Sequence, residues 1–342
     1  MSNIDIIRDK WQVLKAVNAV RLINASRLYT SYHRSRLSKK NRHRGMPMSI
    51  SIEPTTACNL GCPECPSGLK QFTRPTGNLQ MEVFEKLLNQ LSKHLMYITF
   101  YFQGEPFINP RLSEMIKKAT DKKIYTATST NAHFLTSERA KEVVESGLSR
   151  LIISIDGTTQ EVYEAYRKKG SLEKVIEGTK NILHWKRELK SRTPHVIFQY
   201  LVVKPNEHQL DEVVELADKL GVNEVKFKTA QVYDYKHGNP LIPDNPKYSR
   251  YRLQEDGTYA IKNKLVNQCW RMWHSCVVTF NGSVVPCCFD KDASHKLGEM
   301  SNVPFREIWS GKRYNAFRQS ILKSRSEIDI CKNCSEGTKV WG

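Results

Sequence analysis

The chain has 342 residues, of which 39% are hydrophobic and 26% charged. That globular composition excludes disorder as the main state, and the length suits about two domains. No stretch approaches the ~20 apolar residues of a membrane-spanning helix. Residues 1–25 lack the apolar core and cleavage site of a secretory signal, so a cytoplasmic location is expected. Lys and Arg number 53 against 35 Asp and Glu, a formal charge of +18. Half of that excess lies in residues 1–47, where eleven Lys and Arg meet only Asp5 and Asp9.

In chain order, residues 1–47 form a basic extension with Trp11, Leu14, Val17, Val20 and Arg21 at helical spacing. One or two helices are expected, ending near the Arg/Lys/His run at 34–44. The plain reading is a helical extension packed on the rest of the chain. A second is an interfacial helix, peripheral on an anionic membrane surface. Nucleic-acid contact through the 34–44 run, with Tyr29 and Tyr32 stacking on bases, ranks below it because no recognised motif accompanies them.

Residues 48–229 alternate strand and helix patterns. Strands are expected at Ser49–Glu53, Tyr97–Phe102, Ile124–Thr128, Arg150–Ile155, Val196–Val202 and Glu224–Lys228. Helices are expected at Met81–Leu95, Pro110–Thr120, Ser137–Ser146, Leu172–Lys190 and Glu207–Leu220. Alternation of this kind gives an α/β fold with a parallel sheet. Six units are too few for a closed eight-stranded barrel, which leaves a partial barrel or an open sheet. Either places the active site at the C-terminal ends of the strands. Residues 230–342 read as a linker followed by a small hairpin-plus-helix unit. Val277–Phe280 and Val284–Pro286 flank the turn Asn281-Gly282, and a helical stretch follows over Phe305–Leu322.

Nine cysteines are too many to ignore and too odd to pair fully, and disulfides are disfavoured in a reducing compartment. Cys58, Cys62 and Cys65 stand at C-x3-C-x2-C on the loop after the first strand. Three thiolates on one short loop hold three corners of an iron–sulfur cubane and leave the fourth iron without a protein ligand. Such a deficit opens one coordination position, as in a catalytic zinc site. Structural zinc wants four ligands, and no further Cys or His follows nearby.

These residues resemble the radical S-adenosylmethionine (SAM) enzymes. The resemblance covers roughly residues 48–337 and implies a partial (β/α)6 barrel. It also implies a [4Fe–4S] cluster whose open iron chelates SAM, reductive cleavage of SAM to a 5′-deoxyadenosyl radical, and hydrogen-atom abstraction from a substrate. Gln103-Gly104-Glu105-Pro106 resembles the family's GGEP turn, with Gln103 in place of the first glycine, and implies contact with the SAM amino group. Thr130-Asn131 and Ser154-x-Asp156 end the third and fourth strands, where the family places ribose contacts. Arg167 resembles the basic residue that meets the SAM carboxylate. The residue before the third cysteine is Glu64 and not the family's frequent aromatic, so the adenine contact is expected elsewhere, at Leu201–Val203.

The second cysteine group is Cys269-x12-Gly282-x4-Cys287, then Cys331-x2-Cys334. It resembles the half-size "twitch" form of the SPASM domain, which carries an auxiliary [4Fe–4S] cluster. The resemblance implies those four cysteines as ligands of one auxiliary cluster. Cys276 and Cys288 are left over. Cys287 and Cys288 are not separable by spacing, and a structural zinc ion is the competing occupant. The implied partners are an unidentified substrate and a one-electron reductant such as flavodoxin or ferredoxin. No separate peptide-recognition unit is legible before residue 48, which tilts the substrate toward a small or sugar-like molecule over a peptide. No proton acceptor is identifiable; Asp234 and Asp290 are candidates by location. The competing class is a non-catalytic iron–sulfur protein that transfers electrons or binds nucleic acid.

Overall fold

Short runs rich in Val, Ile, Thr and Tyr form the sheet, and amphipathic helices with apolar stripes cover it. A computed structural model describes residues 3–301 and 303–337. Two helices open the chain, α1 (Asn3–Lys15) and α2 (Ala19–Ser38), and β1 (Ser49–Ile52) follows. After the one-turn α3 (Pro66–Leu69) come α4 (Met81–Leu91), β2 (Tyr97–Thr99), α5 (Leu112–Asp121) and β3 (Tyr125–Thr130). The alternation continues through α6 (Ser137–Glu145), β4 (Arg150–Ser154), α7 (Gln160–Tyr166), α8 (Leu172–Glu188), β5 (His195–Val202), α9 (Leu210–Leu220) and β6 (Glu224–Thr229). Strands β1 to β6 pair in parallel and in sequence order. This is the parallel sheet that the alternation predicts and the partial barrel that the resemblance implies. Side chains set the helix starts: Thr136, Thr159 and Ser171 accept from the amides of Arg139, Val162 and Lys174.

The C-terminal region holds the expected small hairpin-plus-helix unit, and its hairpin also joins the main sheet. A two-stranded ribbon, β7 (Tyr251–Leu253) and β8 (Tyr259–Ile261), precedes α10 (Arg271–His274). Then β9 (Ser275–Val278), β10 (Ser283–Val285) and β11 (Gly298–Glu299) continue the main sheet. Among the described residues the order is β11-β10-β9-β1-β2-β3-β4-β5-β6, with β9 parallel to β1 in the register Ile50 to Cys276. The hairpin therefore extends the barrel wall. The long helix expected over Phe305–Leu322 is broken into α11 (Phe305–Trp309) and α12 (Lys312–Ser324), before a last turn, α13 (Asp329–Lys332). The break falls at Gly311, where a Cβ would stand 2.5 Å from the Glu307 carbonyl oxygen.

The N-terminal helices pack onto both parts. Asp9 on α1 accepts from Tyr125 Oη at 2.5 Å and pairs with Arg150, at the starts of β3 and β4. Arg21 on α2 donates to the carbonyls of Ala16, Ser92, Lys122 and Lys123, satisfying chain ends after α4 and α5. Tyr32 is fully buried against Trp270 and Trp273. The 34–44 run is tied to the C-terminal region, with the Asn41 amide on Gln319 Oε1 and the His43 ring on the Trp273 carbonyl. No helix among the described residues is long and apolar enough to cross a membrane.

Candidate active site

β1 delivers the first cysteine loop to the C-terminal edge of the sheet. Two local features hold it there. Glu53, at the end of β1, receives a bidentate pair from Arg74, at 2.5 and 2.8 Å, and the Phe280 amide at 3.2 Å. Gly68 on α3 lies so close to the loop that a Cβ would stand 2.7 Å from the Cys62 amide nitrogen. The pair fixes both flanks of the loop, and the glycine lets α3 press on its middle.

Cys58, Cys62 and Cys65 line a cavity of about 250 Å³. Gly104 and Glu105, Thr130 and Asn131, Ser154 and Arg167 line the same cavity, from the ends of three further strands and beyond. Gly104 has φ +74° and donates its amide to Ser67 Oγ at 2.8 Å. A Cβ there would meet the Thr55 carbonyl oxygen at 2.4 Å, so only glycine fits this turn. The Glu105 carboxylate accepts from Thr130 Oγ1 at 2.7 Å, the Asn131 amide at 2.7 Å and the Phe107 amide at 3.2 Å. Burial pushes its pKa up to about 7 in spite of those bonds. Asn131 also donates to Asn59 Oδ1 at 2.8 Å and approaches Cys58 Sγ at 4.0 Å.

Arg167 follows α7 and carries the cationic end of the cavity. Its Nε donates to Asp156 Oδ2 at 2.5 Å, and its Nη1 lies 3.9 Å from Cys62 Sγ. Asp156 is fully buried, accepts the Leu201 amide at 2.7 Å and does not line the cavity itself. It holds Arg167 from behind. Gln103 and Pro106 also stand outside the lining, and Gln103 Oε1 is buried without a hydrogen-bond partner. Glu64 accepts the Tyr233 amide at 2.9 Å, so the position before the third cysteine serves as a brace. Leu201 and Val203 pack with Leu60 and Cys62 next to the cavity.

The second cysteine group gathers beyond the hairpin. Cys287 is in electrostatic reach of Cys269 and Cys334, as Cys331 is of Cys269 and Cys334. Burial pushes the Cys58 thiol up to about 12 and the Cys331 thiol up to about 11. Thiolates in either group therefore need a cationic partner. At the second group the protein offers one: Arg325 is fully buried and its Nη2 donates to Cys334 Sγ at 3.2 Å. The Glu336 amide donates to the same sulfur at 3.3 Å. Cys287 and Cys288 follow β10 in a bend and a turn. Cys288 meets Arg271 Nη1 at 3.5 Å. Cys276 lies in the apolar core on β9. Asp290 accepts the amides of Ser294 and His295 and shapes a turn, while Asp234 is exposed.

Four side chains at these sites were not legible beforehand. Ser67, Tyr101, Arg271 and Arg325 belong to no periodic pattern. Cys-Pro-Ser-Gly after the third cysteine was the one local signal, for Ser67. Among the described residues no three His, Cys, Asp or Glu groups are drawn together tightly enough for one metal ion. The three thiols of the first group lie in mutual electrostatic reach, and in the second group Cys287 and Cys331 each reach Cys269 and Cys334. The first cavity also offers a carboxylate, a guanidinium, an amide and hydroxyls, a donor set that suits an amino acid joined to a ribose.

Residues 52–217 match the model of the radical SAM superfamily, and residues 269–335 match an iron–sulfur cluster-binding domain, SPASM. The chain carries a radical SAM domain followed by a SPASM domain. This radical SAM enzyme is 25% identical over 315 residues to the tungsten-containing aldehyde ferredoxin oxidoreductase cofactor-modifying protein of Pyrococcus furiosus, covering 84% of this chain and 86% of that one. It is 27% identical over 231 residues to the PqqA peptide cyclase of Bradyrhizobium diazoefficiens, covering 65% of this chain and 57% of the cyclase. Its fold is similar to that of Streptococcus suis SuiB bound to S-adenosylmethionine, with a TM-score of 0.61 at 13% identity, over 91% of this chain and 77% of SuiB. The radical SAM domain brings SAM and a [4Fe–4S] cluster, and the SPASM domain brings auxiliary iron–sulfur binding.

Proposed function

We propose that Cys58, Cys62 and Cys65 hold the SAM-binding [4Fe–4S] cluster by three irons, and that SAM occupies the adjoining cavity. One observation carries this reading: three thiols and residues from three further strand ends line a single cavity of about 250 Å³. Bound there, the cluster and SAM supply a 5′-deoxyadenosyl radical that takes a hydrogen atom from the substrate. Glu105 presents a buried carboxylate to the SAM ammonium, with Gly104 bringing the backbone close. Gln103 and Pro106 shape that turn. Arg167, backed by Asp156, faces the SAM carboxylate. Thr130, Asn131 and Ser154 hold the ribose.

Cys269, Cys287, Cys331 and Cys334 hold one auxiliary [4Fe–4S] cluster, with Arg325 offsetting the thiolate charge. Residues 48–229 are then the catalytic barrel, 230–342 the linker and auxiliary unit, and 1–47 a packed extension. Tyr101 lines the SAM cavity and lies in electrostatic reach of Cys288 and Arg271, so it stands between the two cysteine groups. A peptide gains support over a sugar-like molecule from the peptide cyclase among the relatives. Flavodoxin or ferredoxin supplies the electron.

Anaerobic incubation of reconstituted protein with SAM and dithionite tests the assignment. Wild type forms 5′-deoxyadenosine, and Arg167→Ala weakens SAM binding in equilibrium dialysis while iron content stays unchanged. Unaltered SAM affinity in that variant would remove Arg167 from the site.

A further inference from the structure

α1 is an amphipathic helix seated with its apolar face outward. Ile4, Ile7, Trp11 and Leu14 recur at the three- and four-residue spacing of one helix face. Each is more than half exposed, Trp11 at 61%. The opposite face carries Asp5, Asp9, Val13 and Ala16, and it is this face that the protein buries. Asp9 is 5% exposed and bonds Tyr125 and Arg150, while Val13 and Ala16 pack beside Tyr97 and Tyr125. α2 adds Val20 and Ile23, also more than half exposed, in its first turns. The four α1 side chains make an exposed apolar stripe of the kind that marks a binding surface.

Charge indicates what covers it. Asp5 and Asp9 are the only acidic residues in 1–47, and both are paired on the inward side, Asp5 with Arg8 and with Asn223 Nδ2 at 3.2 Å. The exposed long side chains beside the stripe are cationic: Arg8, Lys10, Lys15 and Arg27. The barrel brings Lys186 and Arg192 to a cavity of about 450 Å³ that Arg8, Trp11 and Lys15 line together with Asp5 and Asp9. A typical protein interface rims its apolar centre with mixed polar groups. Here the rim is cationic and the centre holds a tryptophan, the composition that suits the headgroup layer of an anionic bilayer. Tyr97, Tyr125 and Arg150 open their strands, so α1 lies at the N-terminal end of the barrel, opposite the SAM cavity.

We propose that the outward face of α1 is a peripheral docking surface for an anionic lipid bilayer, which leaves the SAM cavity facing away from the membrane. This does not rest on the reading of the cysteine sites. The test is co-sedimentation of the full chain with vesicles of phosphatidylcholine alone and of phosphatidylcholine with phosphatidylserine. Wild type is expected to partition to the anionic vesicles only, and less at high salt. Ile7→Ser/Trp11→Ser, which leaves the charge unchanged, is expected to weaken that partition by roughly tenfold or more, with circular dichroism and 5′-deoxyadenosine formation unaltered. Lys10→Gln/Lys15→Gln is expected to weaken it as well. Equal partition of wild type and Ile7→Ser/Trp11→Ser would overturn the proposal, leaving charge adsorption alone. So would self-association of wild type in sedimentation velocity that Ile7→Ser/Trp11→Ser abolishes, which would give the face to a second copy.

Discussion

The two cysteine groups are built on opposite plans. The first has three thiols on one loop, and its cavity carries a carboxylate at Glu105 and a guanidinium at Arg167. The second draws its thiols from distant stretches of chain and closes on them with the buried Arg325. A site that must admit a zwitterion keeps one corner free and lines it with both signs of charge. A site with a full ligand set needs only charge compensation. The surrounding packing follows the same division. The first loop is braced by one ion pair, Arg74 with Glu53, whereas Cys269 of the second group lies in electrostatic reach of the buried Tyr32 and Tyr314.

Breaking each side in turn should expose the difference. Replacing Cys58, Cys62 and Cys65 together with Ala is expected to abolish 5′-deoxyadenosine formation and remove about half of the iron, if each group holds four irons. Replacing Cys331 and Cys334 should remove the other half and spare SAM cleavage. Iron assay and chromatography of the nucleoside check both; parallel loss of cleavage in the two variants would merge the sites into one functional unit.

The next effect is on stability. Arg74→Ala leaves the buried Glu53 carboxylate without its cation, expected to cost about 3–5 kcal/mol in urea unfolding. On the other side, His43 is pushed down to about 3 by burial and by Arg318, and His274 to about 3 by burial and by Arg271. Both stay neutral in the folded chain, so their contribution is complete above pH 6.5 and is lost as pH falls toward 3. Each should cost about 1.4 kcal/mol per pH unit below 6.5, and His43→Gln should reduce that slope. The smallest effect is Thr130→Val. It removes one bond to Glu105 and should weaken SAM binding by about 1 kcal/mol, read by equilibrium dialysis.

Much of this was legible because it is local. β4 to β6 begin or end within about one residue of the periodicity reading. β2 is shorter than expected, as Phe100–Phe102 leaves the sheet to reach the Gly104 turn. The sequence stations from Gly104 to Arg167 meet in one cavity because each follows a strand of a parallel sheet, whose C-terminal ends converge. What escaped is long-range. Nothing in Ser275–Val278 announces that it pairs with β1, since register between distant strands leaves no local pattern. Arg271 and Arg325 were missed for the same reason: a cation that compensates a buried thiolate is defined by place and not by spacing. Asp156, expected among the ribose contacts, stands outside the cavity lining and holds Arg167.

The most direct measurement is electron paramagnetic resonance of the reduced, oxygen-free Cys331→Ala/Cys334→Ala variant, in which the first cluster is observed without the second. Adding SAM should change the signal, because one iron has no protein ligand and takes the amino acid end of SAM. A signal that SAM leaves untouched, on an intact four-iron cluster, would mean that all four irons are already ligated, and the three-cornered site would be wrong.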